Sequence, residues 1–141
     1  MSELKERTFL RGIALQSLYE YDLSDHSVTD ILTNRFDSIE VSDDAKKFVI
    51  DLVTGVINHQ AELDTLIEKY AVDWPIEQIA SIDRNIIRIA AYEFAISGMT
   101  PDKVAINESI ELAKTFGSET APKFVNGVLG SIADNSVNKK S

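Results

Sequence analysis

Seventeen residues near the middle of the chain, Ser81–Ser97, constrain its fold more than any other stretch. They read SIDRNIIRIAAYEFAIS. At helical spacing, Ile82, Ile86, Ile89 and Ala90 share one face, and Ile87, Ala91 and Phe94 share another. A surface helix shows a single apolar stripe, whereas a helix apolar over most of its circumference belongs in an interior. Arg84 and Arg88 lie one turn apart in it, with Asp83, Tyr92 and Glu93 nearby. Burial obliges such groups to pair, because an uncompensated buried charge costs on the order of several kcal/mol. Ser81 is the expected N-cap and Gly98 the expected C-terminal stop. The rest of the chain is expected to pack around this helix.

The flanking segments also read as helices. Residues 3–21 carry Leu4, Ile13, Ala14, Leu18 and Tyr21 at helical spacing, widened by Phe9, Leu10 and Leu15. Val28, Ile31, Leu32, Phe36 and Ile39 predict a short second helix, with Ser24 and Ser27 as turn or cap residues. Ser42-Asp43-Asp44 is a helix start, a capping serine followed by carboxylates in the first turn. From there Phe48, Val49, Leu52, Val53, Val56 and Ile57 run to about His59, and Leu63, Leu66, Ile67 and Tyr70 continue the pattern. Gly55 inside this run costs about 1 kcal/mol in propensity, which points to close helix approach.

Trp74-Pro75 breaks the pattern and links two halves, residues 1–73 and 74–141, with Trp74 expected between them. Thr100-Pro101-Asp102 opens the next helix, which ends at Gly117. Asn107 and Glu108 within it are expected to pair with Arg84 or Arg88. The last helix starts at Thr120-Ala121-Pro122. Its Asn126-Gly127 would signal a hairpin between alternating strands. Here Phe124, Val125, Val128, Leu129 and Ile132 keep helical spacing instead, and Gly127 is expected to allow close packing. The tail from Asn135 is polar and expected to fray. No segment sustains strand-like alternation, so the chain is expected to be all-α, about seven helices in one domain spanning 1–141.

Net charge is −9, and six of those nine units fall between residues 22 and 44. Such acidity opposes tight nonspecific nucleic-acid binding but leaves room for a local site on the neutral segments and for a basic protein partner. The sequence has no cysteine, which removes disulfides and thiolate metal ligands. No signal peptide or membrane-spanning run is evident, so a cytoplasmic protein without membrane contact is expected.

Chemistry is sparse. His26 and His59 sit in no ligand spacing, so no metal or cofactor is expected. Phosphate-binding and nucleophile motifs are absent. An enzyme is not expected, and the residues alone leave a helical interaction module with its partner open. On that reading Lys5, Arg7 and Arg11 form a solvated face with Glu3 and Glu6 beside them.

ALQSLYEYD, FVIDLVTGVINHQAELDTLI, DRNIIRIAAYEF, KVAINESIELAKTFGSE and KFVNGVLGSI follow one another from about Arg7 to Ile132. In this order and with these gaps they resemble the NusB family of transcription antitermination factors. The resemblance implies two small helical bundles and no catalysis. It implies binding of the boxA element of ribosomal RNA transcripts, as unpaired RNA, together with NusE, a basic protein of the small ribosomal subunit. Other Nus factors and RNA polymerase would then be engaged indirectly.

Carried over by position, the family's RNA contacts fall on Lys5, Arg7 and Arg11, with Gln16 reading a base edge and Tyr19 stacking. Lys123 and Phe124 form a second RNA contact region. Partner contacts fall on Tyr70, Glu77 and Asp83, acids that suit a basic surface. Some relatives self-associate over the RNA face, so a homodimer is also implied as an option. The chain departs from the family in having fewer bases at its start and Phe9 and Leu10 where relatives often carry charged or small residues. The alternative reading is an adaptor that binds proteins without reading RNA.

Overall fold

A computed structural model describes the backbone of residues 3–140 and the side chains of residues 5–135. Its helices are α1 (Glu3–Leu23), α2 (Val28–Asp37), α3 (Asp43–Asn58), α4 (Gln60–Tyr70), α5 (Ser81–Ala91), α6 (Asp102–Phe116) and α7 (Ala121–Lys140). A 3-10 turn spans Ile76–Gln78, and a π-helical turn over Tyr92–Ile96 extends α5. There are no strands among the described residues. The all-α expectation and the count of seven helices both hold.

Helix α5 is the centre, packing against α1, α3, α4, α6 and α7. All seven residues from Asn85 to Ala91 are buried, which is what apolarity around the circumference demands. Ile86, Ile87 and Ile89 are almost wholly withdrawn from water. Each contributes about 1.5–3 kcal/mol of burial. The core is continuous across the Trp74-Pro75 link, joining Leu10, Leu15 and Leu52 to Leu112, Val125 and Leu129.

Helix ends follow local chemistry in some places and tertiary demand in others. Ser27 and Ser42 cap α2 and α3, accepting from the amides of Asp30 and Ala45 at 3.1 Å. Gly98 ends the α5 segment at φ +69°, a conformation that favours glycine. Ser81 does not cap α5. Ala80 holds that position, and the Ser81 hydroxyl faces Asp22 instead. Thr100 does not cap α6 either, because its hydroxyl donates to the buried Glu93 carboxylate at 2.7 Å and Pro101 stands at the N-cap. At the other end of the chain α7 stays helical to Lys140, beyond the frayed end expected from Asn135.

Two buried polar clusters fasten α1 to the centre. In the first, Arg88 of α5 donates from Nε and Nη2 to the two Asp64 oxygens at 2.8 and 2.9 Å, and from Nη1 to Asp22 at 3.2 Å. Asn85 adds a bond to Asp22 at 2.9 Å, and Arg84 donates to the Ile76 carbonyl at 3.0 Å. Asp22, the first acid of the acidic segment, is thus a structural residue. The second cluster contradicts the pairing expected for α6: Glu108 meets Arg11 of α1, not Arg84 or Arg88. Asn107 is exposed.

Glycine roles divide. A Cβ at Gly55 would collide with the Tyr92 ring, so this glycine does permit close approach of α3 and the π-helical turn. Gly127 has nothing within 4 Å of a would-be Cβ and lines an open groove, so close packing is not its role.

Candidate RNA and protein interface

Helix α1 distributes its polar residues over two sides, not one. At about 100° per residue, Lys5, Phe9, Gly12, Gln16 and Tyr19 fall within one stripe, and Arg7 lies roughly 160° from Lys5. Phe9 and Tyr19 on this stripe are 42% and 39% exposed. Gly12 is covered by the Phe116 ring of α6, which would lie 3.6 Å from a Cβ there, and Phe116 itself remains partly exposed. The outward stripe of α1 is therefore aromatic, with Lys5 at one end and Gln16 and Tyr19 toward the other. Glu3, invoked as a partner for the bases, lies outside the residues whose side chains are described.

Arg7 and Arg11 turn toward α3. The Arg7 guanidinium sits 4.0 Å from the centroid of the Phe48 ring, and that of Arg11 sits 5.5 Å from it. Arg7 is nevertheless exposed to solvent.

Arg11 is only 5% exposed. Its Nη2 and Nε meet the Glu93 carboxylate at 2.8 and 3.0 Å, and its Nη1 meets Glu108 at 3.1 Å. Thr8 also donates to Glu108, at 2.8 Å. Arg11, expected on an RNA face, is buried here with its guanidinium turned inward. Its guanidinium is consumed by two interior carboxylates that need it.

Gln16 is held from α2. Arg35 donates to its side-chain oxygen at 2.9 Å and to its backbone carbonyl at 3.3 Å. Arg35 is a residue that sequence reasoning missed. Its only signal was being the one base in an acidic segment. Phe9 was legible in principle, since it shares the spacing of Lys5, Gln16 and Tyr19.

The second region is an open groove of about 660 Å³ between the Trp74-Pro75 link, the start of α5 and the start of α7. It brings together Tyr70 and Asp83, expected for a protein partner, and Lys123 and Phe124, expected for RNA. Trp74 also lines it and packs edge-on to Phe124, with ring centroids 6.5 Å apart. Trp74 is thus a wall of the groove, 52% exposed, and not a wedge buried between halves. Tyr70 rests partly on the core while lining the groove. Glu77 sits exposed on the 3-10 turn and is not part of the lining.

Asp83 stands in the first turn of α5, where a carboxylate is favourable, yet α5 has no side-chain cap. Burial pushes its carboxyl above the ordinary aspartate value of 3.8. A half-buried carboxylate at a groove wall, with no hydrogen bond to it among the described residues, is suited to accept donors from a basic partner. Among the described residues no group of His, Asp or Glu is placed to hold a metal ion, and no helix is long and apolar enough to cross a membrane.

Comparison with known proteins gives one consistent result. The NusB family model matches residues 9–134. The transcription antitermination protein NusB of Bacillus subtilis (strain 168) is 46% identical over 129 residues, covering 92% of this chain and 95% of that protein. NusB of T. maritima superposes with a TM-score of 0.83 at 31% identity, covering 91% of this chain and 90% of that one. A chain from the crystal structure of antitermination factors NusB and NusE in complex with dsRNA superposes with a TM-score of 0.83 at 26% identity, covering 93% of this chain and 98% of that one.

Proposed function

This chain belongs to the NusB family, and on that footing we propose that it is a non-enzymatic transcription antitermination factor. It binds the boxA element of ribosomal RNA transcripts together with NusE. In the cytoplasm the pair then engages other Nus factors and, through them, RNA polymerase.

The observation that carries the reading is the groove in which Tyr70 and Asp83 share walls with Lys123 and Phe124. A protein partner seated against Asp83 lies beside the aromatic and the lysine offered to RNA, so the two ligands meet along one edge. Lys5, Arg7 and Tyr19 on α1 supply the second part of the RNA surface, with Arg7 approaching from the α3 side. Arg11 is a structural member of this surface and makes no RNA contact. A net charge of −9 keeps the RNA affinity of the isolated protein low and makes a basic partner a large part of the RNA site. A second copy of the chain over α1 would compete with RNA.

The test is fluorescence anisotropy with a boxA-like RNA at two salt concentrations, with and without NusE. The reading expects stronger, salt-sensitive binding with NusE present, log affinity falling against log salt with a slope of about −0.7 per phosphate engaged. RNA left unbound by a folded protein with NusE docked would leave the adaptor reading in its place.

A further inference from the structure

The Gln16 side chain on the outward stripe of α1 is not free to turn. Arg35 of α2 donates from Nη1 to its Oε1 at 2.9 Å and from Nη2 to its backbone carbonyl at 3.3 Å. The same Nη2 lies 3.4 Å from Glu20 Oε1, and the other Glu20 oxygen lies 2.8 Å from His26 Nδ1. Arg35 is thereby anchored on two sides.

A guanidinium carries only donors, so the Gln16 atom facing it is the carbonyl oxygen, whatever else surrounds the amide. The amide nitrogen then points the other way, and it donates to no group among the described residues. One turn further on the same stripe stands the exposed Tyr19 ring.

Resting on the RNA reading above, we propose that Arg35 is a positioning residue that makes Gln16 a donor-only reader of one nucleobase. Arg35 turns the Gln16 carbonyl toward α2 and away from the RNA side, so that Gln16 presents its two N–H groups, and not its oxygen, beside the Tyr19 ring. A base stacked on that ring is selected when its edge offers an acceptor, such as purine N7, guanine O6 or uracil O4. It is rejected when the edge offers an amino group, as cytosine does at N4. Without Arg35 the amide turns freely and serves either kind of edge.

The test uses the NusE-bound protein and boxA-like RNAs in which one base at a time loses its acceptor. A purine is replaced by its 7-deaza form, which has no N7, a guanosine also by 2-aminopurine riboside, which has no O6, and a uridine by the pyrimidin-2-one riboside, which has no O4. At one position this replacement weakens binding by roughly fivefold, the loss of one neutral hydrogen bond. Arg35→Lys, which still donates to the Gln16 oxygen, keeps that penalty. Arg35→Met, with helicity unchanged by circular dichroism, brings it close to none. Gln16→Glu, which has no donor to offer, removes it altogether.

A uniform loss of affinity in Arg35→Met with the discrimination unchanged would overturn the inference and make Arg35 a simple cationic contact. Absence of any penalty in the unsubstituted complex, with RNA bound, overturns it as well. Failure of the unsubstituted complex to bind RNA at all overturns the antitermination reading along with it.

Discussion

Arg11 of α1 and Glu93 of the π-helical turn face each other across the interior, with Nη2 to Oε1 at 2.8 Å and side chains 6% and 1% exposed. Glu108 and Thr100 complete the site, so two carboxylates share one guanidinium. Removing one partner of a buried pair leaves charge without compensation, which costs about 3–5 kcal/mol. Arg11→Met is therefore expected to lower unfolding free energy by about that amount, read from urea denaturation. Adding Glu93→Gln should recover part of the loss, because one uncompensated charge goes with it. A variant as stable as the unsubstituted protein, with reduced RNA binding, would return Arg11 to the RNA face.

Arg7 makes the contrasting case. It is exposed and stands over the Phe48 ring. Such a contact is worth about 0.5–1 kcal/mol at exposed sites. Arg7→Gln should lower stability by no more than that. Its main effect should be on RNA binding by the NusE complex, with the salt slope reduced in magnitude by about 0.7 for one lost phosphate contact. An unchanged slope would confine Arg7 to its packing role on α3.

Asp83 gives a pH dependence whose sign follows from its environment. Its folded carboxyl is raised above 3.8 by burial, so the folded protein binds that proton more tightly than the unfolded chain. The contribution to stability is fully present below 3.8 and is lost as pH rises through the folded value. Asp83→Asn should therefore stabilise the protein modestly at neutral pH, the gain vanishing below about pH 4 in thermal melts. The same substitution should weaken NusE binding, since the carboxylate is what the groove offers a basic partner.

The parts of this structure legible in the sequence are those settled within a few turns of chain. The burial of α5, the Ser27 and Ser42 caps, the stop at Gly98 and the close approach at Gly55 all follow from spacing and residue type. Illegible were the choices made across the fold. Arg11 meets Glu93 from 82 positions away and Glu108 from 97, and nothing in helical periodicity says which carboxylate faces which arginine. Thr100 looked like a cap because Thr-Pro-Asp is a local signal, but a buried carboxylate drew its hydroxyl away. Among the candidate site residues, Gln16 and Tyr19 came from the family resemblance, and their spacing on α1 is compatible with one stripe. Neither resemblance nor spacing could show that Arg35 would reach Gln16 from another helix.

Gly55 and Tyr92 are coupled through space. A Cβ on Gly55 would fall on the Tyr92 ring, which also packs against His59 with centroids 5.6 Å apart. Alanine there gains about 1 kcal/mol of helix propensity. Overpacking costs about 1–3 kcal/mol. Gly55→Ala should be destabilising in the unsubstituted protein and stabilising in a Tyr92→Ala background, and the double-mutant cycle measures the coupling. Equal effects in both backgrounds would remove the ring as the reason for the glycine.

Trp74 supplies a direct optical report on the groove. It is the chain's one tryptophan, 52% exposed, with its ring edge-on to Phe124 at 6.5 Å. A partner that fills the groove against Asp83 covers this ring, since the two residues line the same groove. Titrating a tryptophan-free NusE should shift Trp74 emission to shorter wavelength as water is displaced from the indole. Asp83→Asn should move the midpoint to higher NusE concentration with the end point unchanged, because the pocket walls remain. Phe124→Ala should instead alter the starting spectrum, by removing the neighbour that fixes the indole. NusE binding by an independent method with no change in Trp74 emission would place the partner elsewhere on the molecule and leave the groove to RNA.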